Sequence, residues 1–228
     1  MEHAGEAKAA EVFPAYTDRE RLADAVVHIA GLALAMLSVP VLITLSVFLD
    51  GRGPTIAAVA IYSACLLAML GVSAAYNMLA GARDTVRGML RRFDTAVIFL
   101  KIAGTQTPFA VLAGGAAAAW VLPAIWVAAF LGAAMRLVYP RRFEKVSIAF
   151  YLLLGWAGVL IIGGGEEPLA LATLILLIVG GLLYSVGVVF HLWNSLPYQN
   201  AIWHGFVLAA TFVFYAAVIV ELGLRVAG

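Results

Sequence analysis

The sequence predicts an all-α polytopic membrane protein with seven spanning helices. Apolar residues make up 64% of the chain and the mean hydropathy is +1.01, whereas roughly half of an ordinary soluble domain is apolar. A bilayer crossing takes about 20 residues, so 228 residues provide seven spans with short loops. We expect a polar N-terminal segment, 1–24, followed by one transmembrane domain, 25–228.

The spans are predicted from apolar runs separated by charged residues, glycine and proline. They lie near 25–49, 55–80, 94–114, 116–138, 146–164, 168–192 and 201–225. The division within 94–138 depends on a turn at Gly114 and Gly115, supported by Pro123. Without that turn the chain would have six spans, and its C-terminus would lie on the other side of the membrane.

Orientation follows from the basic residues, which cluster in the N-terminal segment and in loops two and four. They are Lys8, Arg19, Arg21, Arg83, Arg87, Arg91, Arg92, Arg136, Arg141, Arg142 and Lys145. The opposite loops carry only Arg52, or Glu166 and Glu167 without a base. The positive-inside rule therefore predicts a cytoplasmic N-terminus and an external C-terminus. We expect a multi-pass protein of the cell membrane, in bacteria the inner membrane.

The net charge and the first twenty residues argue against a nucleic-acid-binding protein and against a secretory signal. The formal net charge is only +1, which gives no indication of nucleic-acid binding. The first twenty residues are polar and lack the apolar core of a secretory signal, so insertion is expected to depend on the first span. Membrane lipids are the expected partners, and the sequence does not indicate an oligomeric state.

Polar side chains at predicted membrane depth are costly and mark candidate sites. Under the predicted orientation they share one layer near the cytoplasmic face: His28, Ser73, Asn77, Asp94, His191, Asn200 and His204. Ser73 lies one helical turn from Asn77, and Asn200 one turn from His204, so each pair shares a helix face. Such a cluster could hold a metal or an activated water. Alternatively, these groups hydrogen-bond one helix to another.

Four segments, SAAYN, RRFDTAVIFLKIAGTQTPF, GGLLYSVGVVF and PYQNAIWHGFVL, resemble the hemolysin III family. That family belongs to the progestin and adiponectin receptor superfamily. The resemblance runs from about Glu20 to the C-terminus and includes an opening pattern of Glu20, Asp24, His28 and Gly31. It implies a seven-helix bundle with a cytoplasmic N-terminus and a zinc site near the cytoplasmic face.

By this resemblance, zinc ligands are expected at positions 77, 200 and 204, with an aspartate at 94 holding a metal-bound water. Two of those ligand positions hold Asn77 and Asn200, and only His204 is a histidine. A carboxamide is a weak zinc ligand compared with imidazole or thiolate. Zinc is therefore expected to be absent or weakly bound, unless His191 acts as a substitute ligand.

Lys101 lies within the third span, where the family word is normally apolar. It follows Asp94 by seven residues and shares its helix face, and helical side chains lean toward the N-terminus. We hypothesise that the Lys101 ammonium supplies, directly or through water, the positive charge that zinc supplies in relatives. The alternative is that Lys101 meets another acid or lines a wet cavity.

These residues leave several functions open. The first is a lipid-binding or receptor-like protein in which the asparagines preserve an interhelical hydrogen-bond network. The second, implied by the superfamily's similarity to alkaline ceramidases, is a zinc-dependent hydrolase of lipid amides. In it Asp94 would be the general base, Ser73 would orient the oxyanion or water, and His204 would be the remaining ligand. Membrane lysis, or transport past Asp94, Lys101 and Glu221, is favoured less.

Overall fold

A computed structural model describes residues 16–79, 83–139 and 143–227 of the chain. Its helices, in chain order, are α1 (Asp18–Leu49), α2 (Gly53–Met78), α3 (Asp84–Ala113), α4 (Leu122–Val138), α5 (Glu144–Trp156), α6 (Val159–Gly164), α7 (Leu171–Leu192) and α8 (Gln199–Ala227). One π-helical turn, Ala117–Val121, precedes α4. The segment containing Arg141 and Arg142 lies outside the described residues, as do Lys8 and the rest of 1–15.

Seven helical segments in the described part of the chain are long and apolar enough to cross a membrane. The π-turn and α4 together form the fourth, and α5 with α6 the fifth. The predicted turn between the third and fourth spans is present, because Gly114 and Gly115 have φ angles of 67° and 55°. A side chain at position 115 would also meet Cγ of Glu166 at 2.6 Å. The prediction of an all-α seven-span protein is confirmed.

Two helices begin well before the apolar runs that predicted them. Helix α1 begins at Asp18 because Thr17 caps it, accepting from the Glu20 amide while the Glu20 carboxylate accepts from the Thr17 amide, a capping box. Helix α3 begins at Asp84, although the predicted span starts at 94. Hydropathy identifies only the apolar part of a helix, which crosses the membrane. Polar turns before that part continue the same backbone hydrogen bonding, so the helix is longer than the predicted span.

Helix α3 forms the centre of the bundle and contacts α2, α4, α5 and α8, while α1 packs on α2 and α8. All residues from 103 to 110 are buried. Helix α4 approaches α3 at Gly132, where any side chain would overlap the ring of Phe99. On the outside of the bundle, Leu37 and Phe48 of α1 are 72% and 82% exposed, as expected of residues that face lipid.

A buried ion pair fixes the end of the bundle opposite the start of α1. Glu221 of α8 is 1% exposed, accepts from Arg225 Nε at 2.9 Å and accepts from the Ala170 amide at 3.0 Å. Arg225 also pairs with Glu167. The Glu221 carboxylate thus joins α8 to the segment that leads into α7.

Candidate functional site

The site lies at the face of the bundle where α1, α3, α5 and α8 begin and α2, α4 and α7 end; we call this the N-terminal face. At its centre Asp24 and His28 of α1 meet His204 of α8. Asp24 Oδ1 lies 2.6 Å from His204 Nδ1, and the two imidazole rings meet edge to face with centroids 4.4 Å apart. Asp24 is 6% exposed and His28 is 4% exposed, so these hydrogen bonds are shielded from solvent.

The partners of the two histidines fix where their protons lie. His28 Nδ1 is 2.8 Å from the carbonyl oxygen of Asp24, and a carbonyl only accepts, so Nδ1 donates. The other nitrogen, Nε2, lies 3.3 Å from Ser73 Oγ and accepts from that hydroxyl when the ring is neutral. His204 Nδ1 donates to the Asp24 carboxylate, which leaves His204 Nε2 without a proton in the neutral ring.

Ser73 links this cluster to α3, because it is also within hydrogen-bond reach of the Asp94 carboxylate. Its single hydroxyl proton goes either to His28 or to Asp94. Asp94 in turn interacts electrostatically with His204. The structure therefore brings together predicted site residues from four helices: His28, Ser73, Asp94 and His204. Asp24 is the member of the cluster that our sequence-based site set left out. Its spacing of four residues before His28 was the available signal, since that spacing places both side chains on one face of α1.

Asn77 and Asn200 face each other beside this cluster. Asn200 Nδ2 donates to Asn77 Oδ1 at 3.1 Å, linking α8 to α2, and Asn77 Nδ2 donates to the carbonyl of Ser73 at 2.9 Å. At two of the three positions where the family resemblance implies zinc ligands, the side chains are thus neutral amides joined by one hydrogen bond. This pair does not fit a zinc ion, which prefers imidazole or thiolate ligands.

A different set of groups fits a metal better. Three residues, Asp24, His28 and His204, each offer one possible ligand atom. These three atoms all lie within 4.8 Å of one another. One carboxylate and two imidazoles are suitable donors for zinc and for several other divalent metals. In the structure, however, Asp24 and His204 hydrogen-bond directly, so this bond would have to open before both could ligate one ion.

His191, considered as a substitute ligand, lies outside that set. Its ring packs against Trp203 with centroids 4.9 Å apart, and its Nδ1 is buried with no hydrogen-bond partner in the described part of the chain. The structure holds this end of α7 to α8 through Gln199, whose side-chain amide donates to the His191 carbonyl at 2.7 Å.

Lys101 is 2% exposed, and its ammonium is directed away from Asp94. Nζ donates to Thr105 Oγ1 at 2.6 Å and lies 4.9 Å from the centroid of the Tyr62 ring. Among the described residues, Lys101 forms no ion pair with Asp94 or with another acid. The direct form of the hypothesised charge replacement is therefore not present. Thr105, one turn further along α3, offers an acceptor much closer than Asp94, which lies two turns back.

Two adjoining cavities surround these residues. A polar cavity of about 640 Å³ opens at the N-terminal face, and a smaller one of about 160 Å³ extends between the helices. The smaller is lined largely by apolar residues, including Met69, Ile102, Trp156, Val207 and Phe214. Six residues line both cavities: Asp94, Ile98, Tyr151, Val188, Trp203 and His204. We call the two together the amphipathic cavity.

Tyr16, just before α1, lines the polar part of this cavity. Burial raises the pKa of its phenol, and the nearby side chains of Tyr76, Asp24 and Glu20 raise it further. Tyr16 therefore remains neutral at physiological pH and can donate a hydrogen bond to a molecule in the cavity.

The fold and the cavity define a multi-pass seven-helix membrane protein with a polar site at one face. The family model for haemolysin-III related proteins matches residues 18–215, so the chain belongs to this family. It is 34% identical over 204 residues to Hemolysin-3 of Bacillus cereus, covering 88% of this chain and 91% of that protein. It is 30% identical to the Hemolysin-3 homolog of Bacillus subtilis (strain 168), covering 90% and 95%.

A human protein shows a more distant similarity. The chain is 30% identical over 163 residues to the monocyte to macrophage differentiation factor of Homo sapiens, covering 69% of this chain and 67% of that protein. The seven apolar helices and the bacterial relatives agree with the predicted location, a multi-pass protein of a bacterial inner membrane.

Proposed function

We propose that this protein binds a membrane lipid in the amphipathic cavity, as a lipid-binding or receptor-like protein. The observation that carries the proposal is that a polar cavity adjoins an apolar one, with six lining residues in common. A molecule with a polar head and an apolar tail matches both parts at once, because each of its ends finds surroundings of its own polarity.

The hydrogen bonds around the cavity support a binding role that needs no metal. The amide pair of Asn77 and Asn200 joins α2 to α8, and the bond between Asp24 and His204 joins α1 to α8. Hydrogen bonds between helices stabilise membrane bundles by about 0.6 kcal/mol on average. These two bonds connect three of the helices that line the cavity.

Lipid binding is tested by narrowing the cavity. Val188 of α7 lines both of its parts, whereas its neighbour Val189 is 60% exposed on the outside of the bundle. We expect Val188→Phe to weaken binding of dioctanoylphosphatidylglycerol about tenfold, roughly 1.4 kcal/mol, because the ring occupies lipid volume. Native mass spectrometry of the purified protein, titrated with the lipid, measures this.

Val189→Phe is the matched control, since it adds the same ring on the same helix but faces away from the cavity. It is expected to bind the lipid like the unmodified protein. If the unmodified protein retains no lipid, or if both variants bind equally well, the amphipathic cavity is not a lipid site.

A second function, hydrolysis of a lipid amide with a bound metal, is favoured by the grouping of Asp24, His28 and His204. These residues would hold the ion, and zinc would supply a positive charge that polarises an amide carbonyl. Asp94 would be the general base, and Ser73, within reach of both His28 and Asp94, would orient the attacked carbonyl or the water. The apolar part of the cavity would hold the acyl chain.

The metal is tested separately from activity. Under the hydrolase hypothesis, protein purified without chelator is expected to contain about one zinc per chain by elemental analysis. His28→Ala is expected to remove it, while His191→Ala, outside the ligand set, is expected to retain it. Absence of zinc from protein saturated with zinc and gel-filtered, or retention by both variants, argues against this ligand set. A zinc-loaded protein that cleaves no ceramide or acyl amide argues against the reaction.

A further inference from the structure

Arg136 is a buried cation that has no hydrogen-bond partner among the described residues. It lies in the last turn of α4, is 2% exposed, and its Nε and Nη1 atoms are buried with no acceptor. Within the described part of the chain it forms no ion pair. Arg136 interacts electrostatically with the hydroxyl of Tyr151, but that hydroxyl donates its proton to the carbonyl of Thr95 at 2.7 Å.

An arginine in this state requires an explanation, because arginine stays charged in proteins and a buried charge is costly unless paired and hydrogen-bonded. Its position at the C-terminal end of α4 gives a favourable interaction with the helix dipole. That interaction does not supply acceptors for the N–H groups of the guanidinium. An acceptor from outside the chain would supply them.

The surroundings of Arg136 indicate the chemistry of that acceptor. Arg136 lines the polar part of the amphipathic cavity, together with Arg87, Arg91 and Lys145 from the neighbouring ends of α3 and α5. With Arg21 of α1, five basic residues line this space, and they favour an anion with more than one negative charge or several acceptor oxygens. Phosphate has that character, and the planar guanidinium fork matches its oxygens in pairs.

The acids that line the same cavity are mostly engaged elsewhere. Asp24 accepts from His204, Asp94 interacts with Ser73 and His204, and Glu20 accepts from the amides of Thr17 and Tyr198. Glu144 also lines the cavity, is exposed, and makes no ion pair with Arg136. Basic residues thus predominate on the side of the cavity formed by α3, α4 and α5.

We propose that the polar part of the amphipathic cavity binds a phosphate group through Arg136, with the phosphate carried by the lipid that the cavity holds. This inference rests on the proposed lipid-binding function and specifies its headgroup. Arg136 would donate two hydrogen bonds to phosphate oxygens, while the lipid tails enter the apolar part of the cavity.

The experiment compares ligands that differ only in phosphate. Purified full-length protein in a neutral detergent is titrated with dioctanoylphosphatidate, with dioctanoylglycerol and with inorganic phosphate, and binding is followed by native mass spectrometry and thermal stability. We expect dioctanoylphosphatidate to bind at least about tenfold more tightly than dioctanoylglycerol. Arg136→Gln is expected to remove most of that preference.

Arg92→Gln is the matched control. Arg92 lies on α3 near the same face but is exposed and does not line the cavity, so this variant removes the same charge and is expected to keep the full preference. If Arg136→Gln does not fold, the affinities of the unmodified protein for the two lipids still test whether the phosphate group contributes to binding. Equal affinities for phosphatidate and dioctanoylglycerol overturn the proposal, and so does a folded Arg136→Gln variant that keeps the preference.

The three ligands also allow failure of the phosphate inference to be distinguished from failure of the proposed lipid-binding function. If both lipids bind equally well and Val188→Phe weakens both, the cavity is a lipid site and the phosphate inference is wrong. If inorganic phosphate binds in an Arg136-dependent way and neither lipid does, Arg136 binds free phosphate. In that case the lipid-bound form of the inference and the proposed lipid-binding function are both overturned.

Discussion

Asp24→Leu is expected to destabilise the protein by about 1–3 kcal/mol, the cost of leaving a buried donor without its acceptor. The substitution leaves His204 Nδ1 without the acceptor that now lies at 2.6 Å. It also breaks a direct connection between α1 and α8, two helices that enclose the site. Thermal unfolding in detergent, followed by tryptophan fluorescence, measures the loss.

Two further variants separate the hydrogen bond from the charge. Asp24→Asn retains an oxygen that accepts from His204, so we expect a smaller loss, about 1 kcal/mol. Asp18→Asn removes a carboxylate from an exposed position on the same helix and is expected to have little effect. An Asp24→Leu protein as stable as the unmodified one would show that the cluster does not hold the helices together.

The importance of Asp24 was not predicted from the sequence, although the polar layer around it was. Helix ends alternate between the two faces, so counting spans was enough to place His28, Ser73, Asp94 and His204 near one face. Which of these side chains meet depends on how each helix is rotated about its axis. In spans that are apolar on nearly every side, the sequence gives little periodicity from which to predict that rotation.

Side-chain contacts that the sequence could not predict also occur at the two asparagines and at Lys101. Asn77 and Asn200 are separated by 122 residues in the chain, and no local pattern predicts that α8 places one amide against the other at 3.1 Å. For Lys101, the general lean of helical side chains toward the N-terminus predicted a direction toward Asp94. A specific acceptor at Thr105 Oγ1 outweighs that tendency, because a buried ammonium must be hydrogen-bonded.

Arg136 has a role in the predicted membrane orientation, but that role does not explain why its side chain is buried. Counting basic residues gave it a place in the positive-inside pattern, which requires only that it lie near the cytoplasm. Arg92 fits that explanation because it is exposed. Arg136 does not, because its guanidinium is buried in the wall of a cavity. The sequence did not indicate that this side chain is buried. Its burial in the cavity wall makes Arg136 a candidate binding group as well as a marker of membrane orientation.

Glu221→Leu is the second large expected effect, at the opposite end of the bundle. This carboxylate is 1% exposed, and its loss leaves Arg225 Nε and the Ala170 amide without their acceptor. We expect a destabilisation of about 3–5 kcal/mol, partly offset because Arg225 keeps its contact with Glu167. The same thermal unfolding assay measures it, with Glu166→Leu as the control because Glu166 is exposed.

Lipid binding provides the second measurement on Glu221, because neither part of the amphipathic cavity is lined by this residue. If Glu221 has a structural role, Glu221→Leu unfolds at a lower temperature but binds dioctanoylphosphatidylglycerol like the unmodified protein while folded. A variant with normal stability would contradict the structural role. It would return Glu221 to the residues that a transport path past Asp94 and Lys101 would need, since a buried charge that does not stabilise the fold calls for a functional explanation.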